Sequence, residues 1–256
     1  MNILKDFKVD KLQVKVMATR EEMGKVAGAA IVEKIVELQK TKDELNMIFA
    51  AAPSQNEVLE YLRNTKEVDW TKINAFHMDE YIGLDKDAPQ GFGNFLRDRL
   101  FGLLPFKSVN YIDCSATDAE AECARYSELL RKSPIDIVCL GIGENAHIAF
   151  NDPGFADFED KELVKVVELD EVCRNQQVND GCFAKIDDVP KQALTLTVPM
   201  LFSGDYLFCT VPAPTKANAV YNTVNAEITA DVPATVMRRH DNAIMFCDND
   251  SGEKVL

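Results

Sequence analysis

The side chains best suited to proton chemistry in this sequence fall where apolar runs end. His77-Met78-Asp79-Glu80-Tyr81 sets two carboxylates at the close of the run Asn74–Met78. A carboxylate held there and partly withdrawn from water has a raised pKa, so it can act as a general base near neutral pH. The plainer alternative is that Asp79 caps a turn and Glu80 is solvated. A second group follows Ile135–Leu140, in Gly141-Ile142-Gly143-Glu144-Asn145-Ala146-His147-Ile148-Ala149-Phe150-Asn151-Asp152-Pro153. The glycines permit a tight path and close ligand approach. His147 is one of three histidines, and imidazole is the group best matched to proton transfer near pH 7. Asp152 and Asn145 lie close enough in sequence to fix its tautomer and orientation. A lone histidine between Ile and Phe is commonly structural, but the glycines, the strand end and the acid shift the balance toward function.

A third segment, Ala52-Pro53-Ser54-Gln55-Asn56-Glu57, can bind an anion, because free N–H groups and the positive end of the dipole meet at a helix N-terminus. Read locally, Ser54 and Glu57 form a capping box, and that simpler role is preferred. Lys216, in Pro214-Thr215-Lys216-Ala217, stands in a first helical turn, where the macrodipole disfavours a cation. Gly141, Gly143 and Ala146 imitate a dinucleotide fingerprint, but past the midpoint of the chain rather than at the first strand-to-helix turn. Nucleotide binding is therefore not expected.

The elements that must position these groups alternate. Strands are expected at Gln13–Met17, Asn46–Ala52, Asn74–Met78, Ile135–Leu140, Ala193–Val198, Tyr206–Val211 and Ala243–Asp248. Helices are expected from the Thr19–Glu22 capping box to Gln39, from Ser54 to Leu62, and over Gly93–Phe101, Ala116–Lys132 and Thr215–Asn222. Such alternation specifies an α/β fold, a single doubly wound and mostly parallel sheet with helices on both faces. With no linker and no repeat, residues 1–256 read as one domain. In such sheets ligands bind beyond the carboxyl ends of the strands, where the three segments fall.

Composition narrows the partners. The 256 residues are 46% hydrophobic and 27% charged, which suits a folded globular chain. A net charge of −14 makes nucleic acid and anionic membrane poor partners. Cys114, Cys123, Cys139, Cys173, Cys182, Cys209 and Cys247 are scattered without a CxxC pair or Cys/His grouping, so they read as reduced core residues and no metal site is expected. No apolar stretch reaches about 18 residues and no signal segment opens the chain, so a cytoplasmic location is expected.

Taken together, M-D-E-Y-x-G-L at Met78–Leu84, the run Leu140–Pro153, and Pro190-Lys191-Gln192-Ala193-Leu194-Thr195 resemble the glucosamine-6-phosphate deaminase (isomerase) family, related to the 6-phosphogluconolactonases. The resemblance spans about Ile48 to Asp248. It implies a modified Rossmann-like three-layer sandwich that converts glucosamine 6-phosphate and water to fructose 6-phosphate and ammonia, with no metal or organic cofactor. By the same resemblance Asp79 is the enolisation base, His147 opens the sugar ring, and Asp152 is the acidic partner of His147. Asn145 stands where the family has a titrating carboxylate, and Asp152 is one methylene shorter than the usual glutamate. Ser54 and Gln55 lie in a glycine-poor version of the phosphate loop. Lys216 matches the phosphate lysine, and Arg174 is the nearest match to the phosphate arginine. The implied partner is a small sugar phosphate, and the resemblance also allows a homo-oligomer. A lactonase and a catalytically silent sugar-phosphate sensor are the competing functions.

Overall fold

Among the described residues, eleven strands and the helices between them build two sheets of unequal size. The computed structural model describes residues 2–169, 171–179 and 181–256. The strands are β1 (Ile3–Val9), β2 (Leu12–Met17), β3 (Leu45–Phe49), β4 (Ile73–His77), β5 (Asp79–Tyr81), β6 (Ser108–Asn110), β7 (Ile137–Leu140), β8 (Val164–Glu168), β9 (Gln192–Leu196), β10 (Tyr206–Val211) and β11 (Ala243–Cys247). The helices are α1 (Arg20–Leu38), α2 (Asn56–Asn64), α3 (Phe92–Leu96), α4 (Ala119–Arg131), α5 (Glu171–Asn179), α6 (Val198–Phe202) and α7 (Ala217–Asn225).

The large sheet has the order β1-β2-β11-β10-β7-β3-β4-β6. All its pairings are parallel except β1 with β2. Its central strands are mostly apolar because each face has its own core. Ile48, Val138, Leu140 and Cys209 face one cluster with residues of α4, α6 and α7. Met47, Phe49, Ile137, Cys139 and Phe208 face the other, with residues of α1 and α2. This is the three-layer, doubly wound sandwich expected from the alternation of runs.

Helix α1 begins as anticipated, with Thr19 Oγ1 accepting from Glu22 N at 3.1 Å. The return bond of the capping box is absent among the described residues, since Glu22 Oε1 accepts instead from Asn2 N. Gly24 lets α2 approach closely, because a Cβ there would lie 2.3 Å from Glu57 Cβ.

Three expectations are corrected. Ala193–Val198 is not part of the large sheet: β9 is the middle strand of a small antiparallel sheet, β5-β9-β8, and Val198 already opens α6. An apolar run of this length fits either sheet, and only tertiary pairing decides between them. Asp79 and Glu80 are likewise not in a loop but in β5, paired to β9. The helix expected over Gly93–Phe101 is α3 followed by a π-helical turn at Arg97–Phe101. Strands β1, β5, β6 and β8 and helices α5 and α6 were not anticipated. Strand β1 lies at a sheet edge with Lys5, Asp6 and Lys8 interrupting its apolar residues, which blunts further strand pairing.

Candidate active site

From β3 the chain winds outward through β4 and β6, and from β7 it winds the opposite way through β10 and β11. The reversal lies between β3 and β7, so the loops leaving their carboxyl ends diverge and open a crevice. A cleft of about 790 Å³, mouth included, occupies this place. Asp79, His147, Ser54, Gln55 and Lys216 all line it, with Met78, Phe92 and Phe150 supplying apolar wall.

Asp79 is buried yet reaches the cleft, whereas Glu80 is turned away and fully used. Glu80 Oε1 accepts from Tyr81 N and Phe92 N at 3.0 Å, and Oε2 accepts from Gly93 N at 2.8 Å. These bonds stitch β5 to the start of α3 and so fix the neighbouring Asp79. His77 holds the same peptide from behind. Its Nε2 accepts from Ile112 N at 2.8 Å, which leaves the proton on Nδ1, 3.0 Å from Asp79 O. Burial lowers the His77 pKa to about 4, so this ring is a neutral strut. Burial, and next the charge of Glu80, push the Asp79 carboxyl well above the ordinary aspartate value. Of the two acids, Asp79 is thus the one poised for proton transfer.

His147 sits between two residues forced to positive φ, Ala146 (65°) and Ala149 (50°), a local strain of the kind that collects at functional sites. Gly143 packs against its ring so closely that a Cβ would lie 2.2 Å from His147 Cε1. Nδ1 lies 2.9 Å from Asp152 Oδ1, a close pairing of imidazole and carboxylate. Asn145 performs the orienting role open to an amide. Its Nδ2 donates to Asp152 Oδ1 at 2.9 Å and its Oδ1 accepts from His147 N at 3.1 Å. Burial alone would raise the Asp152 carboxyl, but hydrogen bonding and charge from His147, then bonds from Asn145 and Cys173, hold it below the usual value.

Strand β9 unites the two proton-transfer groups. Thr195 pairs in register with Asp79, and its Oγ1 accepts from Phe150 N at 3.1 Å. Asn151 Nδ2 donates to Leu196 O at 2.9 Å. The base and the imidazole loop are therefore hung on one short strand.

At the other side, Ser54 does not cap α2. Pro53–Gln55 forms a 3₁₀ turn ahead of that helix, with no side-chain cap at its start or at the start of α2. The proline at the first position favours this turn, and Ser54 faces the cleft instead. Gln55 is buried and accepts from Thr210 Oγ1 at 2.9 Å, tying the loop to β10. Lys216 is buried in the corresponding turn after β10. That turn follows Ala213 at φ 86°, whose N–H is held by Asp248 Oδ2 at 3.0 Å.

Arg174 is not brought to the cleft. Its guanidinium donates to the carbonyls of Ile186 at 2.7 Å and Val189 at 3.1 Å, bracing the segment after α5 away from the site. Arg174 thus lies outside the cleft that Ser54, Gln55 and Lys216 line. Arg20, Gln176 and Gln177 line the cleft without having been anticipated, as they belong to no motif. The surplus of polar groups opening α1 is the signal that points to Arg20. A Cys/His grouping also exists despite the scattered sequence positions: His147, Asp152 and Cys173 bring donor atoms within 4.8 Å of one another. All seven cysteines are thiols, six of them buried.

Residues 18–246 match the sequence model of the glucosamine-6-phosphate isomerases/6-phosphogluconolactonase family. The chain belongs to this family. A glucosamine-6-phosphate deaminase of Bacillus cereus is 32% identical over 240 residues, covering 94% of this chain and 88% of the relative. One from Streptococcus suis is 34% identical over 200 residues, covering 77% and 83%. Among solved structures, a monomeric glucosamine-6-phosphate deaminase superposes with a TM-score of 0.84 at 29% identity, covering 94% of this chain and 98% of its own. The 6-phosphogluconolactonase of Thermotoga maritima shares the fold, with a TM-score of 0.75 at 20% identity over 93% of this chain and all of its own. Among the described residues no helix is long and apolar enough to cross a membrane.

Proposed function

We propose that this family member is a glucosamine-6-phosphate deaminase, an aldose–ketose isomerase that releases ammonia. The observation that carries the reading is the cleft itself, with a buried carboxylate on one flank and a buried lysine on the other. Lys216 follows β10 and Asp79 follows β4, with β7 and β3 between them. Three strand spacings of about 4.8 Å separate these flanks by roughly 14 Å. That span suits an opened six-carbon chain held by its phosphate near Lys216 and Ser54, with C1 and C2 toward Asp79.

His147, oriented by Asn145 and facing Asp152, transfers a proton to the ring oxygen as the pyranose opens. Asp79 then removes the C2 proton of the aldehyde and returns it to C1, through an enolamine. This leaves a hydroxyl at C1 and an imine at C2. Water adds at C2, and the C–N bond breaks to give the ketose and ammonia. Burial disfavours the ionised form of Asp79, and an ammonium at C2 restores it by charge pairing, so an amino sugar prepares its own base. A neutral hydroxyl at C2 offers no such compensation.

The test measures ammonia and ketose from glucosamine 6-phosphate. Asp79→Asn is expected to lower kcat by about 10²- to 10⁴-fold, the usual worth of a general base, with ligand affinity retained. Undiminished turnover by that variant removes Asp79 from the mechanism, and faster hydrolysis of 6-phosphogluconolactone by the native chain overturns the deaminase reading.

A further inference from the structure

Resting on the sugar-phosphate reading above, we infer that Arg20 is the phosphate-gripping arginine of this cleft, working opposite Lys216 and aimed by Glu57. No motif assigns it, and the arginine suggested by the sequence, Arg174, spends its guanidinium on two carbonyls elsewhere.

Three features of the geometry converge. Arg20 Nη2 donates to Pro53 O at 2.6 Å, which sets the guanidinium on the residue preceding Ser54. Its Nε is held by Glu57 Oε1 at 2.7 Å. Nη1 has no hydrogen-bond partner among the described residues, although the group lines the cleft. The guanidinium is thus clamped along one edge and presents the other, the arrangement that lets a planar fork meet a tetrahedral anion with little loss of rotamer freedom.

Charge leads to the same residue. Among the described residues lining the cleft, the only arginine or lysine side chains are Arg20 and Lys216. They must hold a phosphate dianion against a chain carrying −14 overall. Glu57, which in isolation would repel the anion, is paired with Arg20 and serves as its positioning residue. The arginine side chain is 37% exposed, so an entering phosphate can reach it.

The experiment compares native protein, Arg20→Gln and Arg20→Lys, using glucosamine 6-phosphate turnover, and calorimetric titration with glucosamine 6-phosphate and with inorganic phosphate. Arg20→Gln is expected to raise KM and weaken both ligands by roughly tenfold to a hundredfold, the worth of a hydrogen bond to a charged group. Its kcat should stay within about threefold of native, and Arg20→Lys should recover part of the affinity. Affinity for unphosphorylated glucosamine should not differ between native and variant. The assignment is overturned if Arg20→Gln binds inorganic phosphate within twofold of native, or if affinity for unphosphorylated glucosamine falls equally. Failure of the deaminase reading is a separate observation, namely native protein that produces no ammonia, and phosphate titration then still decides the role of Arg20.

Discussion

Gly143→Ala isolates the positioning of the imidazole without touching a titrating group. The added Cβ would lie 2.2 Å from His147 Cε1, and ordinary contact begins near 3.4 Å. The ring must therefore retreat by about 1.2 Å or the loop must shift by as much. Gly143 has no positive φ, so alanine imposes no backbone strain of its own. A displacement of this size at a proton-transfer group costs on the order of 10²-fold in rate. The expected result is kcat for ammonia release lower by about that factor, phosphate affinity within threefold of native, and a modest fall in Tm. Circular dichroism and calorimetric phosphate titration establish that the fold and the anion site persist. Turnover within twofold of native in a folded variant would refute the placement of His147 in the reaction.

Two further outcomes follow from the acids of β5. Burial raises the Glu80 pKa from 4.5 to about 7, against the opposing pull of the Gly93, Phe92 and Tyr81 N–H groups. The native state thus holds a proton that the unfolded chain gives up. The associated stability is full below pH 4.5 and is lost as pH rises through about 7, by roughly 3 kcal/mol in all. Urea unfolding across that range checks the slope, which Glu80→Gln should flatten, and an unchanged slope in that variant would remove Glu80 as its source. Because the Asp79 carboxyl lies well above the ordinary value, kcat/KM should rise with pH along an acid limb displaced upward from the usual aspartate range. A limb that sits at the normal aspartate position would refute the buried-base account.

Much of this arrangement is legible in the sequence because it is local. Continuous apolar runs mark β3, β7, β10 and β11, since strands buried on both faces need no polar alternation. Asp79 and His147 are found by the same logic, as polar groups placed where such runs stop. What escaped was set by distant pairing. Nothing in Ala193–Leu196 distinguishes a strand of the large sheet from the middle strand of the small one, and nothing near Arg174 reveals that carbonyls twelve and fifteen residues away would claim it. Ser54-Gln55-Asn56-Glu57 has the composition of a cap, but Glu57 turns to Arg20, 37 residues earlier. Asn145 illustrates the converse, because an amide can be read from sequence as an orienting group and does so here through two hydrogen bonds.

The dependence of Asp79 on β9 bears on how the protein becomes active during synthesis. A ribosome that has released residues up to about 190 has already delivered the anion loop, the imidazole and the acid itself. The strand that registers Asp79 at Thr195 and secures Phe150 and Asn151 has not yet emerged. Until it does, the two groups lack the strand that joins them, so an unfinished polypeptide has no assembled proton-transfer pair with which to act on metabolites.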